Sequence, residues 1–328
     1  MKNSLKTISL LSILGIGLFV TASCKKNDSL PAKGALDIAL EDSRFSTFTK
    51  LLTDNGLLAT LKSGESSTIF APTNEAFQKA DLSKLTKSEL LKLLNTHIVR
   101  NNRLLVNEIK SGVVRSPNVE IYLSKNASGV FINGGAKVVS ADILAANSVI
   151  QVIDQVVFPA TRSLLEIIKN NPNFSELGSW IAVAENRLQD NISSATVSGF
   201  TIFAPSNAAF EELYKTTPKA TLLADKKTLN EILRLHIIGG RVFSTDFPNI
   251  TQPINTGNAP AITLGTPLAT DTGNIVIIDS FKGQYQLVID LTNGTKIRGI
   301  SSGVANITTT NLFGTNGVIH AIDKVLLP

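Results

Sequence analysis

The chain has 328 residues, of which 43% are hydrophobic, with 31 basic and 26 acidic side chains. Because the net charge of +5 is spread along the chain, without a basic stripe interleaved with aromatic residues, the composition excludes a nucleic-acid groove. The length exceeds what one ordinary core supports and indicates two domains of roughly 100–200 residues each.

The first residues predict a secretory signal peptide over 1–23. An apolar run over 8–20 would rise only about 20 Å as a helix, which is short of a bilayer core of about 30 Å. Thr21-Ala22-Ser23-Cys24 follows and resembles the lipobox of bacterial lipoproteins, although Thr21 stands where that family usually has Leu. The resemblance implies that Cys24 is acylated after cleavage. Ordinary cleavage near Ala22, which would leave Cys24 as a free thiol, is the alternative.

Cys24 is the only cysteine, so a disulfide within the chain is excluded. Residues 24–35 are polar and lack a periodic apolar face, which predicts a flexible tether. Lys and Asp soon after the cysteine loosely resemble the export signals of some Bacteroidota lipoproteins. We therefore expect an outer-membrane location in which the lipid anchor is the only membrane contact, with the protein facing either the surface or the periplasm.

Apolar spacing and turn residues predict the elements of the first half in order. Helices are predicted over 36–40, 44–61 and 88–98, with a break between the first two at Asp42-Ser43. Alternating β-branched and aromatic residues predict strands over 68–71, 121–123, 130–132, 137–139 and 149–159. Pro72 should end the first strand, and Thr73 should cap the short helix that carries Phe77.

The second half repeats the first. Residues 68–77, TIFAPTNEAF, return as residues 201–210, TIFAPSNAAF, and a repeat of such long period indicates two copies of one domain. The second copy has predicted helices over 164–168, 173–177 and 227–238 and strands over 201–204, 275–278, 287–289 and 318–328. Helices first and strands later, with hairpin turns, predict an α+β fold rather than a parallel α/β sheet.

The second copy is also longer than the first. From His97 to Asp154 is 57 residues, whereas the same two landmarks of the second copy are 87 residues apart. The extra residues form an insertion around 240–316, which includes a stretch rich in Pro, Thr, Gly and Asn at 249–268. Because long loops usually carry specificity, this insertion is the first candidate for a recognition surface.

Three blocks recur in the same order in both copies: TIFAP followed by Thr-Asn or Ser-Asn, then Leu-x-x-His-Ile, then Val-Ile-x-x-Ile-Asp-x-Val. Together they resemble the signature of fasciclin domains. The resemblance covers residues 36–328 and predicts domain 1 at 36–160 and domain 2 at 161–328, each a β-wedge or compact sandwich with packed helices. It also implies a non-catalytic, extracytoplasmic role in adhesion or interaction.

The signature residues are predicted to be structural. They are Thr73, Asn74, His97 and Asp154 in domain 1, and Ser206, Asn207, His236, His320 and Asp323 in domain 2. The histidines should satisfy backbone groups while their rings pack, and the aspartates, placed inside the closing strands, should bind loop amides. A metal site needs three or four converging ligands and acid–base catalysis needs two nearby carboxylates, so we expect no metal, cofactor or catalytic site.

Domain 1 departs from the signature at two positions of its closing strand. Ser148 and Gln151 stand where domain 2 keeps Gly317 and His320. Any role of the final histidine is therefore confined to domain 2.

One segment is a weak candidate for partner binding. Asp142-Ile143, just before the first closing strand, resembles the Asp-Ile segment that animal fasciclin proteins offer to integrins. An Asp beside an apolar anchor can coordinate a partner's metal or arginine. The alternative is a helix or turn Asp whose neighbour Ile143 is buried in the core.

The sequence thus predicts an adhesion or interaction lipoprotein whose partner is a protein or glycan at the cell envelope. The short connection over 159–163 predicts a fairly rigid, elongated pair of domains. The alternative function is a ligand-capturing accessory lipoprotein of an outer-membrane nutrient or polysaccharide uptake system. Only 3 Tyr and 1 Trp accompany 15 Phe, which disfavours a sugar-stacking pocket, and Trp180 is expected to be half-buried packing.

Overall fold

The computed structural model describes residues 33–58, 66–116, 119–184, 192, 199–247 and most of 263–327. In the last range it leaves out 265–267, 271–272, 280–285, 291–295 and 300–302, and over 263–304 it describes the backbone alone. The predicted signal peptide, Cys24, most of the tether and much of the 249–268 stretch lie outside the described residues. Among the helices that are described, none combines the length and apolar character needed to cross a bilayer.

Domain 1 begins with helices and ends with strands. Its helices are α1 (Ala35–Glu41), α2 (Ser46–Asp54), α3 (Asn74–Gln78) and α4 (Lys87–Thr96). Its strands are β1 (Ser67–Pro72), β2 (Ile98–Arg100), β3 (Gly112–Ser116), β4 (Val119–Asn126), β5 (Gly129–Ile132), β6 (Ala136–Leu144) and β7 (Ser148–Ile153). β1 runs parallel to β7 and antiparallel to β2, and the sheet order is β2-β1-β7-β6-β5-β4-β3.

The central strands of domain 1 are buried on both faces. From β1, Ile69 and Ala71 pack in the core that holds the helices, whereas Phe70 packs in a second core with residues of β4 and β5. A parallel pair covered on both sides is expected to be buried along its whole length, and every residue of β1 and β7 is buried. The sheet therefore separates a helical layer from the core formed by the later strands.

Domain 2 repeats this plan with more strands. Its helices are α5 (Leu164–Asn170), α6 (Ser175–Val183), α7 (Asn207–Tyr214), α8 (Lys219–Ala224) and α9 (Lys226–Leu235). Its strands are β8 (Phe200–Pro205), β9 (Ile237–Gly239), β10 (Thr263–Leu264), β11 (Leu268–Thr270), β12 (Gly273–Asp279), β13 (Gln286–Asp290), β14 (Lys296–Gly299), β15 (Gly303–Gly314) and β16 (Gly317–Ile322). β8 runs parallel to β16, as β1 does to β7.

The insertion adds strands to the far edge of the second sheet. The order is β10-β12-β13-β14-β15-β16-β8-β9, with β11 also paired to β12. The predicted α+β fold of two tandem domains is confirmed, because both copies place their helices before most of their strands and share the parallel central pair.

The predicted ends of several helices are wrong. The helix predicted over 44–61 ends at Asp54, because a turn follows in which Gly56 has a left-handed φ of 71°, and the helix predicted over 173–177 continues to Val183. The helices predicted over 88–98 and 227–238 end at Thr96 and Leu235, because the next residues pair with the central strands as the edge strands β2 and β9. Ile98 continues the apolar spacing of α4, so the helical period conceals the change to extended backbone. Strand pairing provides the hydrogen bonds that decide the outcome.

Candidate functional site

The Thr-Asn pair after β1 joins two helices of domain 1. Thr73 caps α3, since its Oγ1 accepts from the backbone N–H of Ala76 at 3.2 Å. Asn74 reaches across to α2, where its Oδ1 accepts from Thr47 N–H at 3.0 Å while its Nδ2 donates to the Ser43 carbonyl at 2.9 Å. The residue before α2 is a phenylalanine, which has no side-chain cap to offer. Asn74 therefore supplies the missing cap from a neighbouring element.

Domain 2 uses the same arrangement at the repeated positions. Ser206 Oγ accepts from Ala209 N–H at 3.3 Å and caps α7. Asn207 Oδ1 accepts from Glu176 N–H at 3.0 Å, and its Nδ2 donates to the Pro172 carbonyl at 2.8 Å, so it caps α6. The side chains of both pairs are therefore hydrogen-bonded to backbone groups of their own domain.

His97 lies buried at the end of α4 and bonds backbone groups with both ring nitrogens. Nδ1 lies 2.8 Å from the Leu93 carbonyl, and Nε2 accepts from Val157 N–H at 3.0 Å. These contacts require the neutral ring with its proton on Nδ1. Burial lowers the pKa of His97 to about 4, and the bond to the Leu93 carbonyl only partly offsets this effect.

His236 occupies the same position at the end of α9. Its Nδ1 lies 2.8 Å from the Ile232 carbonyl, and its Nε2 accepts from Leu326 N–H at 2.9 Å. Burial lowers its pKa to about 4 as well. Both histidines thus hold the segment that follows a closing strand, which is an architectural role.

His320 has no counterpart in domain 1. It lies in β16 between the rings of Phe203 and Phe247, at centroid distances of 5.6 and 5.2 Å, and its Nε2 lies 2.9 Å from the Val242 carbonyl. Burial lowers its pKa to about 4. Its Nδ1 is buried without a hydrogen-bond partner in the described part of the chain. In domain 1, Gln151 takes this place.

The prediction that the aspartates lie inside the closing strands is wrong. β7 and β16 each end at the isoleucine that precedes the aspartate, so Asp154 and Asp323 lie just beyond the strands. Asp154 Oδ1 accepts from Lys137 N–H at 2.7 Å, and Asp323 Oδ1 accepts from Asn306 N–H at 2.7 Å. Each carboxylate therefore ties the end of a closing strand to the start of its neighbour.

The Asp142-Ile143 candidate lies within β6, at an irregularity in its pairing with β7. Asp142 has φ of 55°, in the left-handed region where Asp is tolerated. Its Oδ1 accepts from Val106 N–H at 3.0 Å and from Gln151 Nε2 at 2.7 Å. Ile143 is half-buried against the helical core. The carboxylate is therefore occupied inside domain 1.

The equivalent position in domain 2 is Asn311, which has φ of 61°. Its Oδ1 accepts from Ser244 N–H at 2.9 Å, as Asp142 accepts from Val106 N–H. The bulge and its left-handed polar residue are thus features of the repeat. The sequence pointed to Asp142 alone because an Asn at the second position carries no charge.

The exposed apolar residues of domain 1 include two on β6 itself. Val139 is 55% exposed and Leu144 is 44% exposed, on either side of Asp142-Ile143. Leu40 on α1, at 48%, is a comparable residue elsewhere on the domain. The surface formed by Val139 and Leu144 is called the β6 surface below.

The expectation that Trp180 is half-buried is wrong. The side chain is fully buried in the core of domain 2, and its indole N–H donates to the Tyr214 hydroxyl at 2.9 Å. The hydroxyl in turn donates to Glu176 at 2.8 Å. Trp180 therefore packs inside the core, and Tyr214 is partly buried against the same core, so neither belongs to an open stacking surface.

A groove of about 310 Å³ lies where the two domains meet. Its lining is apolar and amide in character, with no ionisable side chain: Ile132, Asn133, Gly135, Ala136, Gln155, Val156, Val157, Phe158, Pro159, Asn311, Leu312 and Phe313. Such a lining suits a neutral group and lacks the charge that would hold a phosphate. Within the described residues, no three His, Cys, Asp or Glu side chains approach closely enough to hold a metal ion.

The fold and these side chains define a tandem pair of α+β domains whose signature residues form hydrogen bonds within their own domains. A family model described as the fasciclin domain matches residues 43–159 and 172–328. The chain therefore belongs to the fasciclin domain family, with two tandem domains.

Curated relatives support the same assignment. Transforming growth factor-beta-induced protein ig-h3 of Sus scrofa is 29% identical over 86% of this chain and 38% of its own length. Periostin of Homo sapiens is 28% identical over 86% of this chain and 31% of its own length. Fasciclin-1 of Drosophila melanogaster is 26% identical over 94% of this chain and 47% of its own length. The chain thus spans less than half the length of each of these relatives.

A search of solved structures matches a FAS1 domain pair from the insect cell adhesion molecule fasciclin I. The two chains are 20% identical, with a TM-score of 0.37, over 87% of this chain and 97% of that one.

Proposed function

We propose that the chain is a lipid-anchored protein of the cell envelope that acts by adhesion or interaction through the surfaces of its two fasciclin domains. The observation that carries the proposal is the use of its polar signature residues. In both copies, the histidines, aspartates and Thr-Asn or Ser-Asn pairs bind backbone groups of their own domain. This use of the polar signature residues favours a role for the surfaces of the two domains.

Family membership supports this reading. Fasciclin domains occur in cell-adhesion proteins, and the relatives are fasciclin proteins. Contact across a folded surface needs no convergent catalytic set, whereas hydrolysis would need a nucleophile within hydrogen-bond reach of a base. The buried, neutral histidines do not provide such a base at the surface.

The β6 surface is the first place to test for a partner. It presents one exposed apolar side chain on each side of the half-buried Asp142-Ile143 bulge, and apolar side chains in water are the groups that a protein partner would cover. The partner's atoms would meet Val139 and Leu144, because the Asp142 carboxylate is already bonded within the domain.

The experiment measures how fluorescently labelled residues 33–328 bind to intact cells of the organism that makes the protein, and to the extracellular material of those cells. Substituting Val139→Ser together with Leu144→Ser should abolish saturable binding, because it removes the exposed apolar contacts without touching the cores. Leu40→Ser, at a similarly exposed apolar residue of α1, is the matched control and should leave binding unchanged. If neither the original protein nor the control binds, the proposed adhesion role is wrong.

The insertion is tested separately. Deleting residues 249–317 would remove β15, which pairs with the closing strand, so the domain would lose part of its sheet. Replacing 249–262 with a short Gly-Ser linker avoids this problem. We expect weaker binding if the insertion carries recognition, and binding equal to that of the original protein excludes it.

The anchor is proposed at Cys24. Two or more acyl chains on that residue would give stable membrane attachment, at about 0.8 kcal/mol per buried methylene. Mass spectrometry of the mature N-terminus should find a chain that begins at an acylated Cys24, and Cys24→Ser should release the protein from the membrane fraction. A mature chain with an unmodified thiol contradicts the lipoprotein assignment.

Ligand capture for an uptake system remains the second candidate, and the neutral groove between the domains is the observation that favours it. The groove could take a small apolar or amide-bearing molecule, while sugar stacking is disfavoured because Trp180 and Tyr214 are packed in the core. Titration calorimetry with neutral oligosaccharides and short peptides tests this candidate. Heat of binding that Phe158→Ala abolishes would support it, and the absence of any heat would remove it.

A further inference from the structure

β4 of domain 1 alternates in an unusual way. Ile121 and Leu123 point into the core and are 0% and 1% exposed. The residues that alternate with these two along the strand are polar and belong to the opposite face: Glu120, Tyr122, Ser124 and Asn126. A strand with this pattern normally turns its polar face to water. Ser124, however, is 0% exposed, so the polar face is covered.

The cover is a segment of domain 2 that follows β9, residues 241–246. Arg241 pairs with Glu120, and its side chain is only 4% exposed. Arg241 Nη2 also donates to the Thr315 carbonyl at 2.7 Å, which ties it to its own domain. Asn126 Nδ2 donates to the Thr245 carbonyl at 2.7 Å. The two ends of the β4 face are therefore held by separate polar contacts.

The middle of the face is aromatic and acidic. The rings of Tyr122 and Phe243 lie 4.9 Å apart, a distance at which tilted aromatic pairs attract. Asp246 lies beside Tyr122 and Ser124. Burial raises the pKa of Asp246, because a carboxylate removed from water loses solvation.

A third contact comes from the turn after β5. Asn311 Nδ2 donates to the Gly134 carbonyl at 2.8 Å. Gly134 has φ of 69°, and a Cβ at this position would lie 2.4 Å from the ring of Phe243. A glycine is thus required both by the turn and by the close approach of domain 2.

The repeat shows which part of this contact is specific to domain 2. Thr68 Oγ1 accepts from Leu104 N–H at 2.8 Å, and Thr201 Oγ1 accepts from Val242 N–H at 2.9 Å. Leu104 and Val242 are therefore equivalent, and so are the residues before them, Arg103 and Arg241. The same segment exists in both domains, but in domain 2 it is used to dock on domain 1.

The contact favours orientation over affinity. Among the described residues, three buried polar atoms of this contact have no hydrogen-bond partner: Asn133 Nδ2, Arg241 Nε and Thr245 Oγ1. Such atoms lose their hydration without gaining a partner, so they weaken the association. A polar contact of this kind fixes register and angle more than it adds stability.

We propose that the polar face of β4 is a docking surface for residues 241–246 of the same chain, and that this contact sets the angle between the two fasciclin domains. A binding partner would then meet surfaces of both domains at fixed separation. The inference does not depend on the proposed adhesion role, since it concerns the chain without a partner.

The test is the distribution of distances between spin labels on the two domains of the mature chain. Cys24→Ser removes the native cysteine, and labels are attached through Lys50→Cys on α2 and Glu211→Cys on α7, both at exposed positions. The unaltered interface should give one narrow peak. Glu120→Lys and Arg241→Glu should each lose that peak, because like charges face each other. Combining them should narrow the distribution again, but less fully than in the unaltered chain, because Glu120 also pairs with Arg115 and Arg241 also donates to the Thr315 carbonyl. Arg103→Glu, at the equivalent residue of domain 1, should leave the peak in place.

Circular dichroism and thermal unfolding of each variant establish that both domains remain folded, so that loss of the peak reports orientation alone. A broad distribution in the unaltered chain overturns the proposal. So does a narrow peak that survives both single substitutions, or a double variant as broad as the single ones.

Discussion

At the residue scale, each of the repeated histidines joins two backbone segments, because each ring nitrogen makes one backbone hydrogen bond. This arrangement is called the histidine clamp below. His97 and His236 each donate from Nδ1 to a carbonyl four residues earlier and accept at Nε2 from the segment after the closing strand. Only the neutral imidazole can make both bonds, because a protonated ring has no acceptor. The clamp therefore depends on the ring staying neutral.

This dependence predicts acid sensitivity. The pKa of each of the three histidines is about 4 in the folded chain, against about 6.5 when unfolded. The unfolded state binds more protons between these values, so the stabilising effect is complete above pH 6.5 and is lost as the pH falls towards 4. A shift of this size corresponds to roughly 3 kcal/mol per histidine.

Urea unfolding at pH 7 and at pH 4.5 measures the effect. Domain 2, with His236 and His320, should lose more stability than domain 1, with His97 alone. His320→Gln copies the residue that domain 1 carries at Gln151, and it should fold while reducing the pH dependence of domain 2 by about half. Equal stability at the two pH values would show that these rings are not neutral clamps.

At the element scale, the difference between the two closing strands has a steric cause. Gly317 of β16 lies against Phe200 of β8, and a Cβ at this position would come 2.1 Å from the Phe200 carbonyl oxygen. In β7 the same position is Ser148, whose hydroxyl lies 2.8 Å from that of Ser67. At this position the parallel strands of domain 2 come so close that only glycine fits, whereas those of domain 1 leave room for two hydrogen-bonded serines.

Gly317→Ser should destabilise domain 2 by about 1–3 kcal/mol, the usual range for overpacking, because backbone rather than a flexible side chain blocks the new atoms. Ser148→Gly, the reciprocal change in domain 1, removes one hydrogen bond and should cost about 1 kcal/mol. Thermal unfolding of both variants measures the contrast. A Gly317→Ser variant as stable as the original protein would argue against the steric explanation.

The helix caps that Asn74 and Asn207 supply from a neighbouring element give a second prediction at the element scale. Asn207→Ala removes the hydrogen bonds that Asn207 makes to Glu176 N–H and to the Pro172 carbonyl, and it should destabilise domain 2 by about 2 kcal/mol. Asn170→Ala removes a single exposed bond within α5 and is the control, with an expected change below about 0.5 kcal/mol. Denaturant unfolding that gives equal values for the two would contradict the capping role.

Much of each domain could be predicted at this scale, since local signals and tertiary pairing agree. The TIFAP strand, the caps at Thr73 and Ser206 and the break at Asp42-Ser43 all follow from short-range chemistry. The end of α4 could not be predicted, because Ile98 fits the helical period and only its pairing with Ile69 reveals a strand.

The candidate site was harder to predict than the fold. Asp142 looked like a free acid because the sequence does not show Val106 N–H and Gln151 converging on it. Alternation of polar and apolar residues along β4 is the same in sequence whether its polar face meets water or another domain, and nothing local marks residues 241–246 as its cover. Contacts between residues more than 100 positions apart leave no periodic trace in the sequence.

At the scale of the whole molecule, duplication has produced two domains with the same internal clamps and different surroundings. Domain 1 offers the β4 face, and domain 2 covers it with a segment that domain 1 also possesses. The signature residues stabilise each copy, while the positions that differ determine how the copies meet. Under the proposed function, activity depends on the surfaces that the pair leaves exposed and on the proposed anchor at Cys24.

Detachment of cells under shear flow tests this account most directly. Cells that display the chain should resist detachment from a layer of their own kind, and cells carrying Cys24→Ser, which lack the proposed anchor, should detach as readily as cells without the chain. Soluble residues 33–328 should compete and reduce the resistance. Equal detachment of all three cell types would contradict the claim that this protein acts by contact.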